Sequence, residues 1–176
     1  MKFLKNLFLP KIQKAILEND FNKIENSEIN EYFSNGSFPL EFAIEQDKWE
    51  SAKYLLDNKA DPDKRIHIDE QTLVMSIIQN NYNLKYLNLL IEYEANLNLK
   101  DKNGYSAVIH CILTGHLEAL KILLENQADP NLQDKDGATA LNHAKSTGGL
   151  SELIDLLLEY GADPNIKDRH GKTYNM

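Results

Sequence analysis

The sequence predicts an all-α solenoid of stacked helix-turn-helix units with hairpin finger loops, and three observations predict it. First, one nine-residue phrase recurs four times: Leu55-Leu56-Asp57-Asn58-Lys59-Ala60-Asp61-Pro62-Asp63, Leu90-Ile91-Glu92-Tyr93-Glu94-Ala95-Asn96-Leu97-Asn98, Leu123-Leu124-Glu125-Asn126-Gln127-Ala128-Asp129-Pro130-Asn131 and Leu157-Leu158-Glu159-Tyr160-Gly161-Ala162-Asp163-Pro164-Asn165. The steps between copies are 35, 33 and 34 residues, a period that marks one supersecondary unit stacked on copies of itself. Second, the dipeptides Asn35-Gly36, Asn103-Gly104, Asp136-Gly137 and His170-Gly171 hold matching positions, with Asp69-Glu70 the departure. Each marks a hairpin tip, where glycine supplies a positive φ. Third, Thr72, Ser106, Thr139 and Thr173 follow the tips at the place where a hydroxyl caps a helix by accepting from an orphaned backbone N–H. Phe38 breaks that pattern, although Pro39 suits a first helical position.

Taken in order, the elements form one domain over residues 1–176. Residues 8–35 are a degenerate capping repeat, shortened because Ala15 precedes its counterpart Ala43 by only 28 residues. Full repeats occupy 36–69, 70–103, 104–136 and 137–170, and 171–176 open a truncated one. In the repeat at 104–136, Val108, Cys111 and Ile112 fall at helical spacing and Gly115 ends the first helix. A second helix starts near Leu117, with Leu117, Leu120, Leu123 and Leu124 on one stripe and Glu118, Lys121 and Glu125 facing water. Ala128-Asp129-Pro130 closes it, since proline cannot continue a helix and restricts the residue before it. Helices this short are below the roughly 12–15 residues at which an isolated helix is even marginal in water, so stability must come from stacking.

The composition, 42% hydrophobic and 26% charged over 176 residues, is that of an ordinary globular chain. A net charge of −8 with arginine only at Arg65 and Arg169 argues against a nucleic-acid partner. One cysteine, Cys111, cannot close an internal disulfide, and no apolar run approaches the about 18 residues that would span a bilayer. The expectation is a reducing, cytoplasmic setting. The opening Met1-Lys2-Phe3-Leu4-Lys5-Asn6-Leu7-Phe8-Leu9-Pro10 is too interrupted for a secretory signal. Its lysines could touch a membrane surface, but a helical cap over the first repeat is the preferred reading. Heavy use of Asn and Lys with little Arg points to an AT-rich genome, bacterial or protist.

The stretches Phe38-Pro39-Leu40-Glu41-Phe42-Ala43, Thr72-Leu73-Val74-Met75-Ser76-Ile77, Ser106-Ala107-Val108-Ile109-His110-Cys111 and Thr139-Ala140-Leu141-Asn142-His143-Ala144 are similar to the T-P-L-H-x-A signature of the ankyrin repeat. Each departs from it in at least one place. The Leu-Leu…Ala-Asp phrase matches better, and Gly115-His116-Leu117-Glu118 resembles the family's inter-helix turn.

Nothing in the residues assembles an active site. Catalysis needs a nucleophile, a base and an orienting group converging in a pocket, and the five histidines scatter. His110 and His143 occupy equivalent helix positions and should lie near one another, yet no third metal ligand stands at a diagnostic spacing. Their expected role is packing or hydrogen bonding, that of His67, His116 and His170 local hydrogen bonding. Cys111 reads as a small buried hydrophobe and Trp49 as core. Asn35-Gly36-Ser37 reads as a turn rather than a glycosylation site. Neither an enzyme, a cofactor nor a metal is expected.

The ankyrin resemblance implies a non-enzymatic protein-binding module that meets its partner with hairpin tips and the exposed side of the first helices. In this register those positions are Ser34, Asn35, Ser37, Glu45 and Gln46, then Ile66, Ile68, Asp69, Gln71, Gln79 and Asn80. They continue with Lys100, Lys102, Asn103, Tyr105, Leu113 and Thr114, then Gln133, Lys135, Asp136, Ala138, Ser146 and Thr147. Within that set Ile66, Ile68, Tyr105 and Leu113 are apolar or aromatic at nominally solvated places, as hot spots are, and Lys100 and Lys102 flank them, ready for a partner's acids. The other reading of Ile66 and Ile68 is packing of finger against finger. A chain that is little more than the array suggests occlusion of its partner, as by a bacterial immunity protein or antitoxin, and its acidity suits a basic toxin or enzyme. The free chain is expected to be a monomer. The alternative is homotypic assembly through the terminal repeat.

Overall fold

The computed structural model describes residues 10–66, 69–146, 148 and 151–175. They hold nine α-helices: α1 (Lys11–Glu18), α2 (Pro39–Glu45), α3 (Trp49–Asp57), α4 (Leu73–Gln79), α5 (Lys85–Glu92), α6 (Ala107–Thr114), α7 (Leu117–Glu125), α8 (Ala140–Ser146) and α9 (Ser151–Glu159). Among the described residues there is no strand, and the Lys100–Ser106 antiparallel bridge stands isolated. The chain forms two compact units, residues 1–68 and 69–176. No helix among the described residues is long and apolar enough to cross a membrane.

In residues 69–176 the first helix of each described repeat, α4, α6 and α8, starts from a hydroxyl cap. Thr72 accepts from the Met75 N–H at 3.5 Å and Ser106 from the Ile109 N–H at 3.3 Å, capping α4 and α6 as the hydroxyl spacing predicts. Thr139 accepts from the Asn142 N–H while Asn142 Oδ1 accepts from the Thr139 N–H at 2.9 Å, a reciprocal box at the start of α8. Gly115, at φ 71°, ends α6, and the His116 ring caps α7 by accepting from the Ala119 N–H. α6 packs on α4, α7 and α8, and α9 on α7 and α8. The buried stripe of α7 is Ala119, Leu120, Leu123 and Leu124; Leu117 sits at its edge, half-buried rather than in the core. Each fully buried leucine contributes about 1.5–3 kcal/mol, which helices of seven to nine residues need because they cannot persist alone.

Two ladders tie neighbouring repeats of this unit. Along the extended loops, Asn98 Oδ1 accepts from the Asp129 N–H at 2.8 Å and Asn131 Oδ1 from the Asp163 N–H at 2.7 Å. Along the tips, the Lys102 N–H donates to the Asp69 carbonyl at 3.0 Å, Lys135 to Asn103 at 3.2 Å and Arg169 to Asp136 at 2.9 Å. The tips approach so closely that a Cβ on Gly104 would meet the Lys135 nitrogen at 2.7 Å, and Gly104 also has φ 85°. Glu70, the exception in the turn series, adopts φ 54° without being glycine.

In residues 1–68, α1 buries Ile12, Ala15 and Ile16 against the first full repeat and ends at Asn19 in the left-handed conformation. The shortened spacing to the next repeat has a visible consequence: two 3₁₀ turns, Phe21–Lys23 and Asn26–Glu28, stand where a second helix would be. Phe21 stacks on Tyr54 of α3 with ring centroids 4.5 Å apart. The buried Ser51 hydroxyl reaches the Ile16 carbonyl at 2.9 Å and Asn19 Oδ1 at 2.8 Å. Asn30 Oδ1 accepts from the Asp61 N–H at 2.8 Å, the same loop bond as in the other unit. Trp49, expected in the core, is half-buried at the start of α3. The basic residues Lys2 and Lys5 lie outside the described residues.

Candidate functional site

The finger tips are organised by aspartates that sequence reasoning did not single out. Asp101, Asp134 and Asp168 each precede a tip glycine by three residues. The Oδ1 of Asp101 accepts from the N–H groups of Asn103 (2.8 Å) and Tyr105 (2.9 Å), that of Asp134 from Asp136 (2.7 Å) and Ala138 (2.9 Å), and that of Asp168 from His170 (2.8 Å) and Lys172 (2.9 Å). One carboxylate oxygen thus satisfies two turn donors that would otherwise be orphaned. At Asp168 those bonds hold the carboxyl below the usual range. Recurrence at steps of 33 and 34 was the available signal.

The second oxygen of two of these aspartates turns inward to a histidine nine residues on. His110 Nε2 lies 3.2 Å from Asp101 Oδ2 and His143 Nε2 lies 2.8 Å from Asp134 Oδ2. Gln79 Nε2 lies 3.1 Å from His110 Nδ1. Burial lowers the His110 pKa against the opposing pull of Asp101, so the ring is neutral at pH 7, donates from Nε2 and accepts from the Gln79 amide. Both nitrogens are spent, and His110 offers no base to a substrate. The Tyr105 ring stands edge-on between the two histidines, 5.3 Å from His143 and 5.9 Å from His110, so the pair lies close as expected but with an aromatic spacer. Burial, then the charges of Asp134, Asp101 and Asp136, raises the phenol's pKa. Cys111 is buried and its thiol pushed far up, as an inert small hydrophobe would be. Among the described residues no group of three His, Cys, Asp or Glu side chains could hold a metal ion.

Beside Tyr105 a groove of about 360 Å³ opens, lined by Asp69, Gln71, Gln79, Asp101, Lys102, Asn103, Tyr105, His110, Leu113 and Thr114. It brings together eight of the positions picked for binding. Leu113 is 42% exposed on the first-helix side, and the Thr114 hydroxyl donates to the His110 carbonyl at 2.8 Å. Lys102 is ion-paired with Asp69 across adjacent tips, and Lys100 donates to the Gln133 carbonyl at 2.7 Å. Both lysines therefore brace the tips. Asn80 folds back on Ser76, while Lys135 and Asp136 are exposed on the next tip, Asp136 paired with Arg169 at 2.6 Å. These four positions, Lys100, Asn80, Lys135 and Asp136, do not line the groove. Ile66 is half-buried in the other unit; Ile68, His67 and Thr147 lie outside the described residues.

Residues 40–134 and 73–168 match a family model described as ankyrin repeats, in three copies. The chain belongs to the ankyrin repeat family. A crystal structure of an ankyrin repeat domain from Acinetobacter baumannii AYE superposes with a TM-score of 0.78 at 26% identity, covering 93% of this chain and 87% of that one. The ankyrin repeat domain of Bcl-3, of the IkappaB protein family, superposes with a TM-score of 0.70 at 19% identity over 96% of this chain and 93% of that one. An ankyrin repeat protein of Acanthamoeba polyphaga mimivirus is 28% identical over 113 residues, 61% of this chain but only 14% of the viral protein. Ankyrin repeats are protein–protein interaction modules on a non-enzymatic scaffold. In this ankyrin chain the signature's histidine position holds Glu41, Met75, Ile109 and Asn142, and the two histidines stand one residue later. That shift aims His110 and His143 at the tip aspartates.

Proposed function

We propose that this ankyrin repeat chain binds a protein partner through the tips and first helices of residues 69–176 and acts by occluding it. The observation that carries the reading is the groove in which Asp69, Gln71, Gln79, Lys102, Asn103, Tyr105, Leu113 and Thr114 meet. Tyr105 is an aromatic wedged between rings, held by the Asp101 bonds to its N–H, and Leu113 is an exposed leucine beside it; a rigid aromatic with an apolar neighbour inside a polar rim is the composition of a hot spot. Because Lys100 and Lys102 brace the tips, a partner gains little from presenting acids to them. The net charge of −8 instead favours a basic partner, such as a toxin or enzyme that an immunity protein or antitoxin would block. The chain acts as a monomer in the cytoplasm on this reading.

The test is co-purification from the native host followed by kinetics with the partner recovered. Tyr105→Ala should speed dissociation and Leu113→Asp should weaken affinity, each by about tenfold or more. Recovery of no protein partner, or unchanged binding by both variants, would sink the proposal. Charge reversal at Lys102 is the poorer test because it also breaks the Asp69 pair. Light scattering at two concentrations separates the homotypic alternative, which requires a mass that rises with concentration.

A further inference from the structure

The second helices carry a groove that shares no residue with the surface just proposed. It runs between α7 and α9, holds about 800 Å³, and has Leu117, Leu156 and Tyr160 as its apolar floor. Tyr160 is 37% exposed and the two leucines are half-buried. Five carboxylates line it, Glu118 and Glu125 from α7 and Glu152, Asp155 and Glu159 from α9, against one lysine, Lys121, which lies 3.8 Å from Glu125.

The repeat register makes α9 the one second helix with acids at all three outer positions. There α3 reads Glu50, Lys53, Asp57, α5 reads Lys85, Asn88, Glu92 and α7 reads Glu118, Lys121, Glu125, each with a lysine, whereas α9 reads Glu152, Asp155, Glu159. Like charges three and four residues apart on one helix face repel, and these three make no ion pair among the described residues. Nor do they converge on a point that could hold a metal ion. An extended cationic surface relieves such a row.

We propose that the α7–α9 groove docks a cationic amphipathic helix of a protein partner, with its apolar stripe on Leu117, Leu156 and Tyr160 and its lysines or arginines along Glu152, Asp155 and Glu159. Helices of nine residues give a groove about 13 Å long, room for two to three turns with anchors at i, i+3 or i+4, and i+7. A second copy of this chain fits poorly, since an isologous contact would set the same carboxylates against themselves. Anionic membrane lipids are repelled by the same row.

The experiment uses fluorescence anisotropy with a labelled peptide of about 14 residues, lysine-rich on one helical face and leucine-bearing on the other, and a scrambled peptide of equal charge without the apolar stripe. The full chain should bind the amphipathic peptide at least about tenfold more tightly than the scrambled one. The Glu152→Lys, Glu159→Lys double variant, both positions exposed, should lose about tenfold or more, and Tyr160→Ser should weaken binding with far-UV circular dichroism unchanged. Equal binding of the two peptides would reduce the groove to unspecific charge attraction and overturn the proposal. So would no binding, indifference to both variants, or self-association abolished by Glu152→Lys.

Discussion

The hairpins of the two units close in opposite chemistry on the same backbone. In residues 1–68 the Phe33 N–H donates to the Ser37 carbonyl at 2.7 Å and Gly36 to Phe33 at 2.9 Å; in residues 69–176 Asp101 and Tyr105, then Gly104 and Asp101, make the same pair of bonds at 3.0 and 2.9 Å. Where the second unit sets Asp101 against His110 and Asp134 against His143, the first sets Phe33 edge-on to Phe42 at 6.1 Å. The residues are register equivalents, so a polar lock and an aromatic lock do the same closing task. The polar one does more, because the Oδ1 of the same carboxylate also satisfies two tip donors and, at Asp101, holds Tyr105 at the groove.

The contrast can be broken hardest at the backbone that the tips share. Gly104→Ala places a Cβ 2.7 Å from the Lys135 nitrogen at φ 85° and should cost about 4 kcal/mol, overpacking and strain together, read as a fall in denaturation midpoint. Asp101→Ala leaves buried His110 and two N–H groups without their acceptor and should cost about 3 kcal/mol. Phe33→Ala, at a half-buried ring, should cost only about 1–2 kcal/mol. If the locks are interchangeable, Asp134→Phe with His143→Phe should be less damaging than the two single losses added, with a coupling of about 1–2 kcal/mol in a double-mutant cycle.

Titration sharpens the same contrast. The buried His110 lock favours the neutral ring: with the His110 pKa lowered by burial, stability present above 6.5 is lost as pH falls through the folded value, since the unfolded chain takes the proton first. The first unit behaves oppositely. Glu41 is buried, its Oε2 lacks a partner, and burial, aided by Glu45, raises its pKa to about 7. Between pH 4.5 and 7 the folded state keeps a proton that the unfolded state has lost, so stability falls as pH rises across that window. Glu41→Gln should remove that slope and stabilise at pH 8 by about 1–2 kcal/mol, checked by denaturation at several pH values. The smallest effect is expected at Glu70, where glycine would relieve φ 54° and raise stability by about 0.5 kcal/mol.

The paired helices, their hydroxyl caps and the tip glycines were readable because each rests on local chemistry repeated at a fixed period. Eight of the residues that line the groove fall at tip and first-helix positions that the ankyrin resemblance, mapped onto the register, picks out. What escaped were pairings that depend on side-chain direction. Asp101 and His110 stand nine residues apart with nothing local to join them, and only the close turn of the hairpin over the first helix brings their side chains together. The bracing of Lys100 and Lys102 was hidden for the same reason: each meets an acceptor one repeat away, as does the Arg169 that pairs with Asp136. The 3₁₀ turns in place of a helix after α1 could be foreseen only as a shortage of residues.

Hydrogen exchange of the chain with and without its recovered partner tests the binding account most directly. Slowed exchange at the amides of residues 101–106 and 110–114, with the rest little changed, is the predicted result. Unaltered exchange there, with protection confined to residues 1–68, would contradict it.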